Sequence, residues 1–329
     1  MSQSKLLQLN DLVVEIPTRR GNLTPVNHVS FDLHQGEILG VVGESGAGKS
    51  ITGTAITGLL DKPAHISGGE IWFGGQNLTA LDSMTMRAIR GSDISTIFQD
   101  PLTSLNPLMT VGDQLAETAQ VHLNLSRAEA RNRALQALID VGIPAAENRI
   151  DAYPHEFSGG MRQRVVIALA LISEPKLIIA DEPTTALDVS VQAQVLSLLK
   201  KLCRERNTGV MLITHDMGVI AETTDRIAVF YAGKVVEIGK TREVLTHPRH
   251  PYTKGLLSAT PSISLGESHA NRLSQIPGSM PGLKNIPDGC AFHPRCQHKM
   301  PQCSAEVPPL KEDANGAIAC YLTEGVAHV

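Results

Sequence analysis

A glycine-rich turn between an apolar strand and a helix constrains the fold of this chain more than any other segment. Residues 43–50 read GESGAGKS and directly follow the almost wholly apolar stretch 37–42. Such a composition is typical of a strand that is covered on both faces. Glycines let consecutive backbone N–H groups point at a phosphate, and the helix that follows adds the positive end of its dipole. The segment therefore predicts a P-loop within an α/β fold.

The residues of this loop divide into phosphate ligands and a magnesium ligand. Lys49 is expected to reach the β- and γ-phosphates, and the hydroxyl of Ser50 to bind the Mg²⁺ between them. The predicted nucleotide ligands are Gly43, Ser45, Gly46, Gly48, Lys49, Ser50 and Ile51. The alternative, a glycine turn with an incidental lysine, is disfavoured by the strand before the loop and the helix after it.

A second apolar strand ends in two carboxylates. The segment LIIADE at 177–182 places Asp181 and Glu182 at the carboxyl end of a strand, which is where parallel sheets bind ligands. Asp181 suits a magnesium ion, and Glu182 could polarise an attacking water. Taken alone, such a pair is most often a solvated strand end. Because this chain also carries a P-loop, we expect the two carboxylates to have these roles and not to be a solvated strand end.

The order of strand and helix signals predicts a parallel sheet followed by a loop-rich extension. Strands at 37–42, 176–180 and 209–214 are separated by segments of helix length. Ser126 and Glu129 predict a capping box for a helix that Gly142 ends. From residue 247 the chain becomes rich in proline and loses its periodicity. We therefore predict one domain at 1–246 and a C-terminal extension at 247–329.

Composition and charge exclude several classes of protein. Of 329 residues, 29 are Lys or Arg and 33 are Asp or Glu, so the formal charge is −4. This balance provides no field that would attract nucleic acid. The longest apolar run, 165–172, is far shorter than the roughly 20 residues that cross a bilayer. Because the N-terminus lacks the apolar core of a secretion signal, we expect a reducing compartment.

Further motifs make the chain resemble the ATPases of ABC transporters. In order, it carries the P-loop, Gln99 in IFQDP, SGG at 158–160, Asp181-Glu182, TALD at 185–188 and His215 in THD. The resemblance spans about residues 5–245. It implies an ABC-type nucleotide-binding domain with a parallel sheet core, an antiparallel β subdomain and a helical subdomain at about 100–165.

The resemblance also implies a role for each motif residue. Glu182 would be the general base, His215 would hold the γ-phosphate and the water in line, and Gln99 would contact Mg²⁺ and act as a switch. The expected Mg²⁺ ligands are Ser50, Gln99 and Asp181. The residues expected to serve the ATP of a second subunit, packed head to tail, are Ser158, Gly159, Gly160 and Asp188.

Three longer segments narrow the resemblance to the ATP-binding subunits of bacterial dipeptide and oligopeptide importers. They are DAYPHEFSGGMRQRVVIALAL at 151–171, HPRHPYTKGLL at 247–257 and IPDGCAFHPRC at 286–296. The resemblance implies ATP hydrolysis with Mg²⁺ that powers peptide import, and a peripheral position on the cytoplasmic face of the inner membrane. The implied partners are a second ATPase subunit, of the same or a different sequence, two transmembrane permease subunits and an extracytoplasmic peptide-binding protein.

Two alternative functions stay open at this point. One is an ABC importer of a non-peptide cargo such as nickel complexes, since an ATPase subunit does not touch the cargo. The other is a soluble ABC ATPase that acts on nucleic acid or ribosomes. The single set of motifs and the acidic balance disfavour the second alternative, so we expect no nucleic acid partner.

Four cysteines near the C-terminus predict a metal site. They are Cys290, Cys296, Cys303 and Cys320. Their spacing lacks the two-residue knuckles of most structural zinc sites, whereas four thiolates suffice for a [4Fe–4S] cluster. The resemblance also favours the cluster, since some peptide-importer ATPases bind one through matching cysteines. Zinc, or no metal at all, stays possible. The nearby His250, His293 and His298 are not expected to be ligands.

Overall fold

The computed structural model of the chain describes residues 4–184, 188–259 and 275–324, and two β-sheets organise them. The strands are β1 (Lys5–Thr18), β2 (Gly21–His34), β3 (Ile38–Val42), β4 (His65–Phe73), β5 (Gln76–Asn77), β6 (Ile94–Ile97), β7 (Leu177–Asp181), β8 (Gly209–Ile213), β9 (Arg226–Tyr231), β10 (Lys234–Lys240), β11 (Lys311–Asp313) and β12 (Gly316–Ile318). The smaller sheet is antiparallel, in the order β2-β1-β4-β5. The larger sheet has the order β11-β12-β10-β9-β3-β8-β7-β6.

Helices flank these sheets. They are α1 (Lys49–Ile56), α2 (Ser83–Ile89), α3 (Pro101–Ser104), α4 (Val111–Leu123), α5 (Arg127–Asp140), α6 (Ala146–Arg149), α7 (Gly159–Leu171), α8 (Val189–Glu205), α9 (Met217–Thr223), α10 (Thr241–Thr246), α11 (Pro251–Ser258) and α12 (Pro301–Ala305). The predicted capping box is present at the start of α5, where Ser126 accepts from the Glu129 N–H and the Glu129 carboxylate accepts from the Ser126 N–H. Within the described ranges, no helix is both long and apolar enough to cross a lipid bilayer.

The larger sheet forms the centre of a layered core. Its strands β9, β3, β8, β7 and β6 are parallel, as the sequence predicts. All five residues of β3 are buried, because both of its faces are covered. Leu39 and Val41 pack toward the antiparallel sheet, whereas Ile38 joins the cluster formed by α4, α5 and α7. Because these strands run parallel, their carboxyl ends lie at one edge of the sheet.

The C-terminal extension contains more regular structure than the sequence predicts. Two three-residue strands, β11 and β12, form a hairpin that pairs with β10 at the edge of the larger sheet. Strands this short leave no readable hydrophobic period, so pattern analysis misses them. The extension also packs aromatic side chains against the end of β9. The ring centroids of Tyr231 and Tyr252 are 4.6 Å apart, and that of Phe292 lies 5.2 Å from Tyr231.

Candidate functional site

The P-loop connects β3 to α1, and two of its glycines are required by close backbone contacts. Gly43 and Gly48 have φ angles of 150° and 99°. A Cβ on Gly43 would lie 2.2 Å from the carbonyl oxygen of Phe230, and one on Gly48 would lie 2.3 Å from that of Pro25. Any other residue would therefore displace the loop from the strand and hairpin that support it.

The side chain of Lys49 is buried against the loop. Its Nζ donates to the carbonyl oxygens of Gly43, at 2.8 Å, and of Glu44, at 3.0 Å. Burial lowers the pKa of Lys49, and the nearby carboxylates of Glu182, Asp181 and Glu44 oppose this shift. A cation is thus held at the loop by backbone acceptors, where a phosphate would bind.

Ser50 and Asp181 meet although 131 residues separate them. The Ser50 Oγ donates to Asp181 Oδ1 at 3.0 Å. Burial raises the pKa of Asp181, as does the neighbouring Glu182, while Ser50 and Lys49 act in the opposite direction. A hydroxyl and a carboxylate are hard oxygen ligands, so this donor set fits the Mg²⁺ that the sequence predicts.

Glu182 lies between the two other predicted catalytic residues. Its Oε2 accepts from Gln99 Nε2 at 3.0 Å, and its Oε1 lies 3.1 Å from His215 Nδ1. The three residues follow the ends of the adjacent parallel strands β6, β7 and β8, which is why they meet. Glu182 has a φ angle of 47°, a conformation that costs a non-glycine residue about 1 kcal/mol or more. Its N–H donates to the carbonyl of Ile213 at 2.9 Å, which contributes to holding this conformation.

The segment at 158–160 forms a separate part of the site. Ser158 caps α7, with its Oγ accepting from the Met161 N–H. A Cβ on Gly160 would lie 2.5 Å from Val191 Cγ1, so a larger residue would displace the Val191 side chain where α7 packs against α8. Ser158, Gly159 and Gly160 share a cavity with Asp188, and no P-loop residue lines that cavity. Of the TALD segment, residues 185–187 lie outside the described residues.

The four cysteines line one narrow cavity. The Cys290 N–H donates to the carbonyl of Cys303 at 2.8 Å, which brings two of the cysteine segments together. Burial raises the pKa of the Cys290 thiol to about 11. Within the described part of the chain, no group of three or more His, Cys, Asp or Glu side chains is arranged to hold a metal ion.

Three histidines line the same cavity as the cysteines: His250, His293 and His298. They are near the cysteines in the sequence, but the sequence gives no reason to count them as metal ligands. Of these, His293 Nδ1 lies 3.0 Å from the carbonyl oxygen of Cys290, and His250 is almost fully buried.

Two contacts between the C-terminal extension and the P-loop have no signal in the sequence. The Arg295 guanidinium pairs with the Glu44 carboxylate, and the Glu44 N–H donates to the Tyr252 hydroxyl at 2.9 Å. Arg295 lies 251 residues and Tyr252 lies 208 residues from Glu44 in the sequence. No local pattern marks Arg295 or Tyr252 as a partner of the P-loop. In the sequence, the HPRC and HPYT segments that carry Arg295 and Tyr252 show prolines but no signal of a contact with the P-loop.

Comparison with known proteins divides the chain into two matched regions. Residues 26–185 match the family described as ABC transporter, and residues 236–303 match the one described as oligopeptide/dipeptide transporter, C-terminal region. The oligopeptide transport ATP-binding protein OppD of Salmonella typhimurium is 49% identical over 96% of this chain and 93% of its own length. The dipeptide transport ATP-binding protein DppD of Bacillus subtilis is 47% identical over 97% of this chain and 95% of its own.

Solved structures match the larger part of the chain. A dimeric, post-hydrolysis structure of the ATP-binding cassette MJ0796 with ADP and Pi superposes with a TM-score of 0.65 at 29% identity. It covers 72% of this chain and 99% of that one. The cbiO1 protein of Clostridium perfringens, part of the ABC transporter complex cbiONQ, has a TM-score of 0.64 at 28% identity, with 74% of this chain and 92% of that chain covered. These similarities confirm the predicted fold class.

Proposed function

The chain belongs to the ATP-binding proteins of ABC transporters of the oligopeptide/dipeptide type and is an ABC-type ATPase, and we propose that it powers the import of dipeptides or oligopeptides. The observation that carries the proposal is the 49% identity with an oligopeptide transport ATP-binding protein over nearly the whole chain. The match of the C-terminal extension to the peptide transporter region supports the choice of cargo.

We propose that the P-loop binds the ATP phosphates and that Ser50 and Asp181 hold Mg²⁺. Gly43, Ser45, Gly46, Gly48 and Ile51 would contribute backbone N–H groups, and Lys49 would leave the carbonyls of Gly43 and Glu44 to contact the β- and γ-phosphates. Bound Mg²⁺ would offset the charge on the phosphates. Gln99 lies beside Glu182 and is proposed as a further ligand of this ion.

Glu182 is proposed as the general base of hydrolysis. Its two oxygens are held by different neighbours, Gln99 and His215, so the carboxylate has a fixed orientation at the strand edge. A base in a fixed orientation can accept the proton of a water that attacks the γ-phosphate. His215 is 64% exposed, which leaves its ring free to contact the γ-phosphate.

The segment at 158–160 is proposed to bind the ATP of a second ATPase subunit. The start of α7 presents backbone N–H groups and a helix dipole to a cavity away from this chain's own P-loop. An anion site of this kind needs a phosphate from elsewhere, which a head-to-tail dimer would supply. Asp188, on the same cavity, is proposed to lie at the dimer seam.

The remaining partners follow from the proposed transport function. Two transmembrane permease subunits and an extracytoplasmic peptide-binding protein would complete the importer, with this chain on the cytoplasmic face of the inner membrane. We also propose that residues 1–246 form the ATPase domain, with its helical subdomain at about 100–165, and that residues 247–329 form the extension. No nucleic acid partner is proposed.

The four cysteines are proposed to bind a [4Fe–4S] cluster. All four line one cavity inside the extension, and their thiols are the ligand set of such a cluster. Cys290, Cys296, Cys303 and Cys320 would each supply one thiolate to the irons of the cluster. The cluster would hold together loops that contribute little apolar core of their own.

Peptide uptake by the reconstituted importer tests the proposed function. Proteoliposomes that contain the permeases and this subunit, with ATP inside and the binding protein outside, should accumulate a labelled dipeptide or tetrapeptide. The matched control is the same complex with Glu182→Gln. Uptake of a nickel complex with no uptake of either peptide would contradict the peptide cargo. ATP hydrolysis without accumulation of any cargo would contradict import itself.

A further inference from the structure

The C-terminal extension reaches the P-loop through one arginine. Arg295 forms two parallel hydrogen bonds with the Glu44 carboxylate, from Nη1 to Oε2 at 2.8 Å and from Nη2 to Oε1 at 3.0 Å. The side chain of Arg295 is only 8% exposed, and that of Glu44 is 27% exposed. A planar guanidinium that pairs in this bidentate way fixes both the distance and the orientation of its partner.

Every N–H donor of this guanidinium has an acceptor. Besides the two bonds to Glu44, Nε donates to the carbonyl of Pro277 at 2.8 Å, Nη2 to that of Gly278 at 3.3 Å, and Nη1 to the Tyr231 hydroxyl at 3.4 Å. The guanidinium carbon also lies 5.9 Å from the ring centroid of Tyr231. Since all five donors are used, the position of Arg295 is set by the extension and by the end of β9.

Glu44 is held at its backbone as well as at its side chain. Its N–H donates to the Tyr252 hydroxyl at 2.9 Å, and its carbonyl accepts from Lys49 Nζ at 3.0 Å and from the Ala47 N–H at 3.2 Å. Tyr252 is itself fully buried in the aromatic cluster with Tyr231. Glu44 is therefore held at its side chain, its N–H and its carbonyl, and the extension supplies the partners of the first two.

We infer that Arg295 and Tyr252 are positioning residues that hold the P-loop in the conformation that binds ATP. Neither belongs to the loop. Arg295 neutralises the Glu44 carboxylate, which would otherwise repel the phosphates that the adjacent loop binds. Tyr252 keeps the Glu44 N–H in place, so the loop does not have to be reordered when ATP binds. This inference rests on the nucleotide-binding role proposed for the loop.

A double-mutant cycle on the full-length chain tests the inference. The variants are Arg295→Gln, Glu44→Gln and the double variant, and the measurements are the Kd for MgATP and the KM and kcat of ATP hydrolysis. We expect Arg295→Gln to raise both Kd and KM about tenfold, as the loss of a buried charge partner does, with kcat at saturating ATP changed less than about threefold. The double variant should bind ATP no more weakly than Arg295→Gln, because it lacks the carboxylate that Arg295→Gln alone leaves unpaired. Arg295→Lys keeps the positive charge but not the bidentate hydrogen bonds, so its Kd for MgATP should lie between those of wild type and Arg295→Gln.

Arg249 provides a matched control within the same extension. It contacts Glu237 and Asp313, and neither partner belongs to the P-loop. Arg249→Gln should leave the Kd for ATP within about twofold of wild type, the scale of a change that removes no ligand contact. Hydrogen exchange of residues 43–50 should accelerate in Arg295→Gln and not in Arg249→Gln.

Several outcomes would overturn the inference. They are an unchanged Kd in a folded Arg295→Gln protein, additive effects in the cycle, and an equal loss of affinity in Arg249→Gln. If Arg295→Gln does not fold, Tyr252→Phe removes the hydroxyl that accepts the Glu44 N–H and keeps the buried ring, and wild-type Kd together with wild-type hydrogen exchange of residues 43–50 in that variant then decides against the inference. Failure of the wild-type chain to bind ATP would instead contradict the proposed function.

Discussion

The Oε1 of Glu182 lies 3.1 Å from the Nδ1 of His215, at the ends of two neighbouring parallel strands. Glu182→Gln keeps the size and most contacts of this side chain but removes its ability to accept a proton. We expect kcat for ATP hydrolysis to fall at least about 100-fold with ATP binding retained. Steady-state ATPase assays and a filter-binding Kd check this. A kcat within tenfold of wild type would exclude Glu182 as the base.

Lys49 is the cation of the P-loop, held by two loop carbonyls. Lys49→Ala removes the charge that the phosphates would meet, so the Kd for MgATP should rise by about 100-fold or more. Isothermal titration of the purified chain measures it, with circular dichroism to establish that the variant is folded. Wild-type affinity in a folded Lys49→Ala protein would contradict the phosphate role of the loop.

Ser158 caps α7 at a cavity that this chain's own P-loop does not share. In a Glu182→Gln background, ATP should convert the chain to a dimer, which size-exclusion chromatography with light scattering detects. Adding Ser158→Arg should abolish this dimer and leave the monomer's ATP affinity within about twofold, because the arginine would occupy the space of the partner's phosphate. A dimer that survives Ser158→Arg would place the partner contact elsewhere.

From the cavity that the four cysteines line, we predict that the purified protein contains iron and sulfide. Anaerobically purified protein should absorb visible light and contain about four irons and four sulfides per chain, and Cys296→Ser should lose most of them. The control is Cys203→Ser, since Cys203 is buried in α8, away from the cavity. One zinc per chain, or no metal, would contradict the cluster.

His250 predicts an acid sensitivity of the folded state. Burial lowers the pKa of His250 to about 3, whereas the unfolded chain has an ordinary histidine pKa near 6.5. Between these values only the unfolded state binds the proton, so stability falls as the pH drops below 6.5. For one such group the loss between pH 7 and pH 5 is about 2 kcal/mol.

Denaturant unfolding of two histidine variants checks this sensitivity. His250→Asn can still accept the Tyr252 N–H at the start of α11 and should reduce the loss of stability between pH 7 and pH 5. The exposed His247 provides the comparison, and His247→Asn should leave the loss unchanged. If the stability of His250→Asn and of wild type depends on pH in the same way, His250 is not the source of the acid sensitivity.

Local sequence patterns were sufficient where the structure depends on local chemistry. The Ser126–Glu129 capping box and the strand that leads to Gly43 were both predicted from neighbouring residues, and both are present. The meeting of Gln99, Glu182 and His215 was expected from the resemblance to ABC ATPases, because each follows a strand in the expected order. Their roles in catalysis stay predictions.

The patterns failed where contacts join distant segments. The Arg295–Glu44 pair spans 251 residues, and the surrounding prolines resemble any surface loop. The left-handed backbone of Glu182 has no sequence signal either, because the residue type alone favours the opposite φ. Hairpin β11–β12 was missed because three-residue strands acquire their stability from the sheet that they join.

That hairpin has a consequence for the integrity of the whole chain. Without it, β10 would end the larger sheet with an unpaired row of N–H and C=O groups along mostly buried, apolar residues. Such an edge is a template for strand pairing between molecules. Residues 311–318 cover part of that edge, so we expect a chain shortened before them to keep every proposed nucleotide ligand and yet to self-associate.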